Sequence, residues 1–207
     1  MMKRKKRPSV DWHDRIGVEF ITNEDCRVIV VDYQKRKGKV ALYQVMFLDD
    51  YKFMKWVQWS HIEKGVVKNP FYKSVCGVGY LGIDKNGEVP TVSVGKSKIR
   101  REYTVWANML ERCYSDKQDE RHPTYENCTV CERWHSFANF LEDITSIKNY
   151  EYWRDNPQQR IALNKDMYYT ELGIDTDCKE YSLETCRFID VLENSKEVYM
   201  RGNMIGK

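Results

Sequence analysis

The chain has 207 residues, 42% hydrophobic and 31% charged, with a formal net charge of +3 and a pI near 8.4. That length suits one ordinary domain or two small ones, and two are expected. Apolar runs such as Val28 to Val31 fall far short of the roughly 20 residues that cross a bilayer, so no membrane partner is expected, and the modest net charge excludes a uniformly basic, histone-like body. The first seven residues are basic but lead into no apolar stretch, which argues against a secretory signal and for the cytoplasm. In that compartment seven cysteines, an odd number, read as reduced thiols or metal ligands and not as a disulfide framework.

In chain order, residues 1–10 form a basic arm in which Lys3, Arg4, Lys5, Lys6 and Arg7 have no apolar partner, as suits contact with phosphates or simple solubilisation. Residues 11–95 read as a β-rich module. Val28, Val30 and Asp32-Tyr33 follow a period near two, a turn follows at residues 35–39, Val40 to Phe47 continues the pattern, Asp49-Asp50 makes a second turn before Phe53 to Trp59, and Ile62 to Gly65 closes the module. The expectation is a small antiparallel meander, an SH3-like barrel, with Trp56 and Trp59 in its core. The stretch Cys76-Gly-Val-Gly-Tyr-Leu-Gly82 has glycines but no helix pattern after it. Close strand packing explains them better than a nucleotide loop, and Asn86-Gly87 and Pro90 mark a hairpin and its exit.

Residues 96–102 form a basic linker with Lys96, Lys98, Arg100 and Arg101, a second candidate phosphate patch beside the arm and the Lys35 to Lys39 turn. From Tyr103 the period becomes helical. Tyr103, Trp106, Met109, Leu110 and Cys113 share one stripe, and Trp134, Phe137, Phe140, Leu141 and Ile144 share another. Ile161 to Leu163 and Cys186 to Ile189 read as two short strands, joined by a long polar connection, and a last helix is expected from about Asp190 to Met200.

The thiols admit two readings. Cys128 and Cys131 have zinc-knuckle spacing, and Cys113 with Cys186, or His135 as a substitute, would complete a tetrahedral structural zinc site. Alternatively these are reduced cysteines packed in a core, where the residue type is common.

Four pieces in sequence resemble phage-encoded HNH-type homing endonucleases. They are Tyr103-x2-Trp106-x2-Met109-x2-Arg112-Cys113-Tyr114; Pro123-Thr-Tyr125 through Cys128-x-Val130-Cys131-x2-Trp134-x2-Phe137-x2-Phe140; Leu163-Asn164-Lys165-Asp166; and Tyr181-Ser182-x-Glu184-x-Cys186-x-Phe188. Together they span residues 103 to about 194. The resemblance implies an α+β protein in which residues 103–207 form a ββα-metal, treble-clef-like nuclease domain. It also implies hydrolysis of DNA with magnesium or manganese, in a phage-infected bacterial host. Lys165 and Asp166 at the end of the first strand and Asn194 in the last helix would be the site, with Asp166 as ligand to the divalent ion. Such sites place a histidine where this strand has Asn164 and Lys165, so lysine would serve as base only with a strongly lowered pKa. A second expectation is therefore a degenerate relative that has lost hydrolysis and binds DNA, or a host or phage protein, in counter-defence or phage assembly.

Overall fold

Valines spaced two apart draw the first sheet. In the computed structural model, which describes residues 13–35, 39–95, 98–115, 127–174, 176 and 178–191, strand β2 (Arg27–Gln34) buries Val28 and Val30. Strand β3 (Leu42–Phe47) buries Tyr43, Val45 and Phe47, and β4 (Met54–Gln58) buries Val57, because alternate side chains of a strand face the same side. With β1 (Glu19–Ile21) they form an antiparallel meander in the order β1-β2-β3-β4, with Val28 opposite Phe47 and Tyr43 opposite Val57. The β3–β4 turn is set by Asp49, whose Oδ1 accepts from the amides of Tyr51 and Lys52 at 3.1 Å each. Helix α1 (Trp59–Glu63) then lays Ile62 on the core.

The two tryptophans part company, which corrects the expectation that both are core. Trp59 is half-buried, edge-on to Phe20 at 5.3 Å, with the Arg15 guanidinium 3.8 Å from its ring centre. Trp56 stays 41% exposed because its strand position points away from the core.

The chain divides into two compact units between Tyr72 and Lys73. The β-rich module was expected to run to residue 95, but Val75, Val78 and Leu81 pack on the core of the second unit. Two glycines of that stretch are needed for close approach, Gly79 by helix α2 (Arg101–Tyr114) and Gly82 by Ser136. A Cβ on Gly79 would collide with Leu110 and sit 3.1 Å from Trp106, and one on Gly82, at φ +70°, would strike Ser136.

The second unit is built around α2, which buries Trp106, Met109 and Leu110. The Trp106 indole donates to the Trp134 carbonyl at 2.7 Å, so this polar atom is satisfied in the core. The second apolar stripe is a 3-10 turn (Glu132–His135) followed by helix α3 (Phe137–Asp143), not one helix. Ser136 breaks it: its backbone is extended, bridges to Tyr80, and its hydroxyl accepts from the Asn139 amide as an N-cap.

Two-stranded ladders close the unit. A small hairpin pairs β5 (Ser93–Val94) with β6 (Lys98–Ile99). Strand β7 (Thr129–Val130) is parallel to β9 (Glu180–Tyr181), and β8 (Ile161–Asn164) is antiparallel to β10 (Arg187–Asp190), with Leu163 opposite Phe188. Helix α4 (Tyr150–Asp155) stacks Trp153 on Phe188 at 4.8 Å. Helix α5 (Asp166–Glu171) opens the long polar connection that follows β8. The protein is thus mixed α and β with antiparallel sheet, and among the described residues no helix is long and apolar enough to cross a membrane.

Candidate functional site

The apolar run of β8 leads straight into a lysine. Leu163 and Asn164 are buried, and Lys165, directly after them, is only 2% exposed, which makes it the only charged residue among the fully buried large side chains of the described residues. Such burial is costly unless the charge is paired. The Lys165 ammonium donates to Asp166 Oδ1 at 3.2 Å and to the sulfur of Cys128, and lies 4.9 Å from the centre of the Tyr181 ring. Asp166, at the start of α5 and a third exposed, receives a second ammonium from Lys179, also at 3.2 Å.

These contacts fix the charges. Burial alone would lower the Lys165 pKa, but the Asp166 carboxylate, with Cys128, outweighs it and the net shift is upward. Burial would likewise raise Asp166, yet Lys165 and Lys179 hold its carboxyl below the usual range. At neutral pH the pair is an ammonium and a carboxylate. A water-activating base needs the opposite shift, so the setting of Lys165 favours a protonated anchor over that role. Asp166, named as ligand to magnesium or manganese, has its charge matched by two ammoniums, and among the described residues no group of three or more His, Cys, Asp or Glu is placed to hold a metal. The third expected member, Asn194, lies outside the described residues.

Of the cysteines named for zinc, Cys128 is hydrogen-bonded to the Lys165 ammonium, and Cys113 and Cys186 lie near enough to feel its charge. Cys113 ends the buried face of α2, Cys128 and Cys131 flank β7, and Cys186 precedes β10. Burial pushes the Cys113 thiol up to about 12, reinforced by Cys128 and opposed by Lys165. Burial also pushes Cys186 up to about 12, against the pull of a Thr185 hydrogen bond and of Lys165. Cys131 is raised mainly by burial. Among the described residues these four thiols form no group placed to hold a metal ion. His135 is engaged elsewhere, its Nε2 lying 3.4 Å from the Tyr114 hydroxyl with the rings edge to face.

The expected phosphate patch is dispersed. Arg101 donates to the carbonyls of Trp153 and Arg154 at 2.9 and 3.1 Å and lies 4.2 Å over the Trp153 ring, so its guanidinium ties α2 to α4. Arg100 pairs with Glu102 at 3.6 Å and lines a cleft beside Asp84, Lys85 and Glu142. Lys98 is exposed on β6. Lys3, Arg4, Lys5, Lys6, Arg7 and Lys96 lie outside the described residues.

Lys179 and Tyr181 were not anticipated. Lys179 ends a polar connection with no periodicity, and Tyr181 was visible only as part of a motif; the one local hint was a Lys-Asp pair placed directly after an apolar strand. The chain matches no protein-family model, no curated protein and no solved structure.

Proposed function

We propose that the chain is a DNA-binding protein on an HNH-like ββα scaffold that does not hydrolyse DNA through the end of its first strand, and that it works in the cytoplasm of a phage-infected bacterium. The observation that carries this is the Lys165–Asp166 pair: the position of the water-activating base is filled by a buried ammonium locked to the neighbouring carboxylate. The scaffold half of the proposal is supported by the antiparallel β8–β10 pair.

DNA binding is supported by the arm, where five of the first seven residues are Lys or Arg. Such side chains neutralise phosphates and release counterions, so affinity comes without sequence readout and falls steeply with salt. A second reading, docking of a host or phage protein, is favoured by Ile21, Met54 and Trp56, which are exposed on the sheet face opposite the core of the first unit.

Supercoiled plasmid incubated with the purified chain and magnesium or manganese, beside a chelator control, tests the loss of hydrolysis. No nicking is expected, while unrelated duplexes are bound at low salt. Metal-dependent nicking abolished by Asp166→Ala would restore the endonuclease reading, and absence of any DNA binding at low salt would leave the protein-docking reading.

A further inference from the structure

We infer that the open side of β4 is a docking edge for an extended acidic peptide, which adds one more strand to the first sheet and sets its carboxylate beside Lys55. The inference is independent of DNA binding; it deepens the protein-docking reading, from which the closing test separates it. β4 ends the sheet order β1-β2-β3-β4, so only its β3 side is paired. The Phe47 amide donates to the Phe53 carbonyl at 3.0 Å, and in an antiparallel ladder such bonded pairs recur at every second position. Lys55 and Val57 therefore turn their backbone groups toward Val45 and Tyr43. The N–H and C=O of Met54 and Trp56 face away from the sheet, and no described residue bonds them. The other edge, β1, is only three residues long, and its Glu19 is tied to Arg27 at 2.8 Å.

Side chains along this edge define the strand that fits. Met54 and Trp56, 50% and 41% exposed, stand on the face away from the core, where an added strand sets apolar side chains beside them. Lys55, between them, belongs by alternation to the face of Val57, Val45 and Tyr43, and is half-buried there. The nearest anion to act on it, Glu24, is committed to Lys68 at 2.7 Å. An apolar or basic residue opposite Lys55 would strip water from the ammonium and give nothing back, so the edge turns away a generic hydrophobic strand. It equally turns away β4 of a second copy, which brings lysine where an acid is needed. A carboxylate at that one position converts the same ammonium into an attraction. With Met54 and Trp56 making the main-chain bonds, Lys55 falls in a non-hydrogen-bonded pair, the kind in which opposing side chains come closest. The edge thus selects an apolar, acidic, apolar run in extended conformation.

The test titrates the isotope-labelled full chain with the acetylated and amidated peptide Ser-Thr-Ile-Glu-Val-Thr-Ser, beside the same peptide with lysine in place of glutamate, and reads amide shifts and hydrogen exchange by NMR. The acidic peptide is expected to protect the amides of Met54 and Trp56 and to bind at least about tenfold more tightly than the lysine peptide, a preference that Lys55→Thr removes. Met54→Pro deletes an outward N–H without breaking the ladder to β3 and should weaken binding about fivefold, the worth of one hydrogen bond, whereas Met54→Thr retains that bond. No protection of these amides at millimolar acidic peptide would overturn the inference, as would equal binding of the two peptides, and both are read on the wild type even if no variant folds. So would a dimer, seen by sedimentation of the chain alone, in which the same amides are already protected, because the edge would then belong to a second copy. Peptide shifts confined to the side chains of Ile21, Met54 and Trp56, without amide protection, would remove the edge and keep the protein-docking reading.

Discussion

Removing either partner of the Lys165–Asp166 pair deletes the same ion pair, yet the two deletions should differ severalfold in cost. Lys165 is 2% exposed and Asp166 about a third exposed with a second ammonium beside it. In Asp166→Asn the buried ammonium is deprived of its carboxylate and keeps the Cys128 sulfur and the Tyr181 ring. Leaving a buried charge without its partner costs about 3–5 kcal/mol, and the sulfur and the ring place this case near about 3. In Lys165→Met the apolar stem is retained, and the stranded carboxylate still has Lys179 and water, so a cost of about 1 kcal/mol or less is expected. The pH dependence separates them further. In the wild type the Lys165 pKa is raised, so its stabilisation is complete below the ordinary value of about 10.4 and is lost only as pH rises through the folded value. In Asp166→Asn burial acts without the opposing carboxylate, and the folded pKa falls below that ordinary value. The penalty then shrinks as pH rises through it, by up to about 1.4 kcal/mol per pH unit. Urea unfolding of both variants and the wild type at about pH 7 and about pH 9.5 gives the difference directly. If Lys165→Met costs as much as Asp166→Asn, or if the Asp166→Asn penalty does not change with pH, the buried ammonium is not what holds this region.

Other outcomes follow from the same packing. The Cys113 and Cys186 thiols are raised to about 12 in the folded state. Their contribution is therefore intact below the unfolded value of about 8.5 and drains away above it, lowering stability by up to about 2.7 kcal/mol per pH unit, a slope that Cys113→Ala and Cys186→Ala should each roughly halve in denaturant titrations. At the acid end, the lowered Asp166 pKa means that stability is present above about 3.9 and lost as pH falls through the folded value, a loss absent from Asp166→Asn. Gly79→Ala should cost about 1–3 kcal/mol by overpacking against Trp106 and Leu110, read as a lower urea midpoint with unchanged slope. Deleting residues 1–7 should weaken binding to unrelated duplexes alike and flatten the salt dependence by about 0.9 for each phosphate that the arm no longer neutralises, whereas Arg101→Ala should lower thermal stability and leave that dependence alone.

Much of the framework was legible because periodicity reports burial. Val28, Val30, Val45 and Val57 alternate as strands do, and Trp106, Met109 and Leu110 repeat as a helix does, and both sets are core. Ile161 to Leu163 and Phe188 to Ile189 were recognisable as strands for the same reason, although nothing local says that they pair. What escaped depends on distant partners. Trp56 has the same neighbours in sequence as a core aromatic, but its strand position turns it outward. Ser136 ends one apolar stripe and starts another because Tyr80 bridges to it from 56 positions earlier. The burial of Lys165 escaped for a related reason. As a residue type it favours water, and only the convergence of Cys128, Tyr181 and Asp166 from three places makes the interior habitable for it.

The strand pairing also bears on how the polypeptide emerges from the ribosome. The first unit is a meander of neighbours, β1 to β4, and every ladder it needs is available once residue 58 is out. The second unit waits: β8 has no partner until β10, and Trp153 has no stacking partner until Phe188. At about 5–20 residues per second, several seconds separate the two events, during which α2 and α3 hold an unfinished core with Leu163 and Trp153 open to water. Chains arrested before residue 187 should accordingly show a protease-resistant first unit and a protease-sensitive second one, with resistance of the latter arriving abruptly when the closing strand is released.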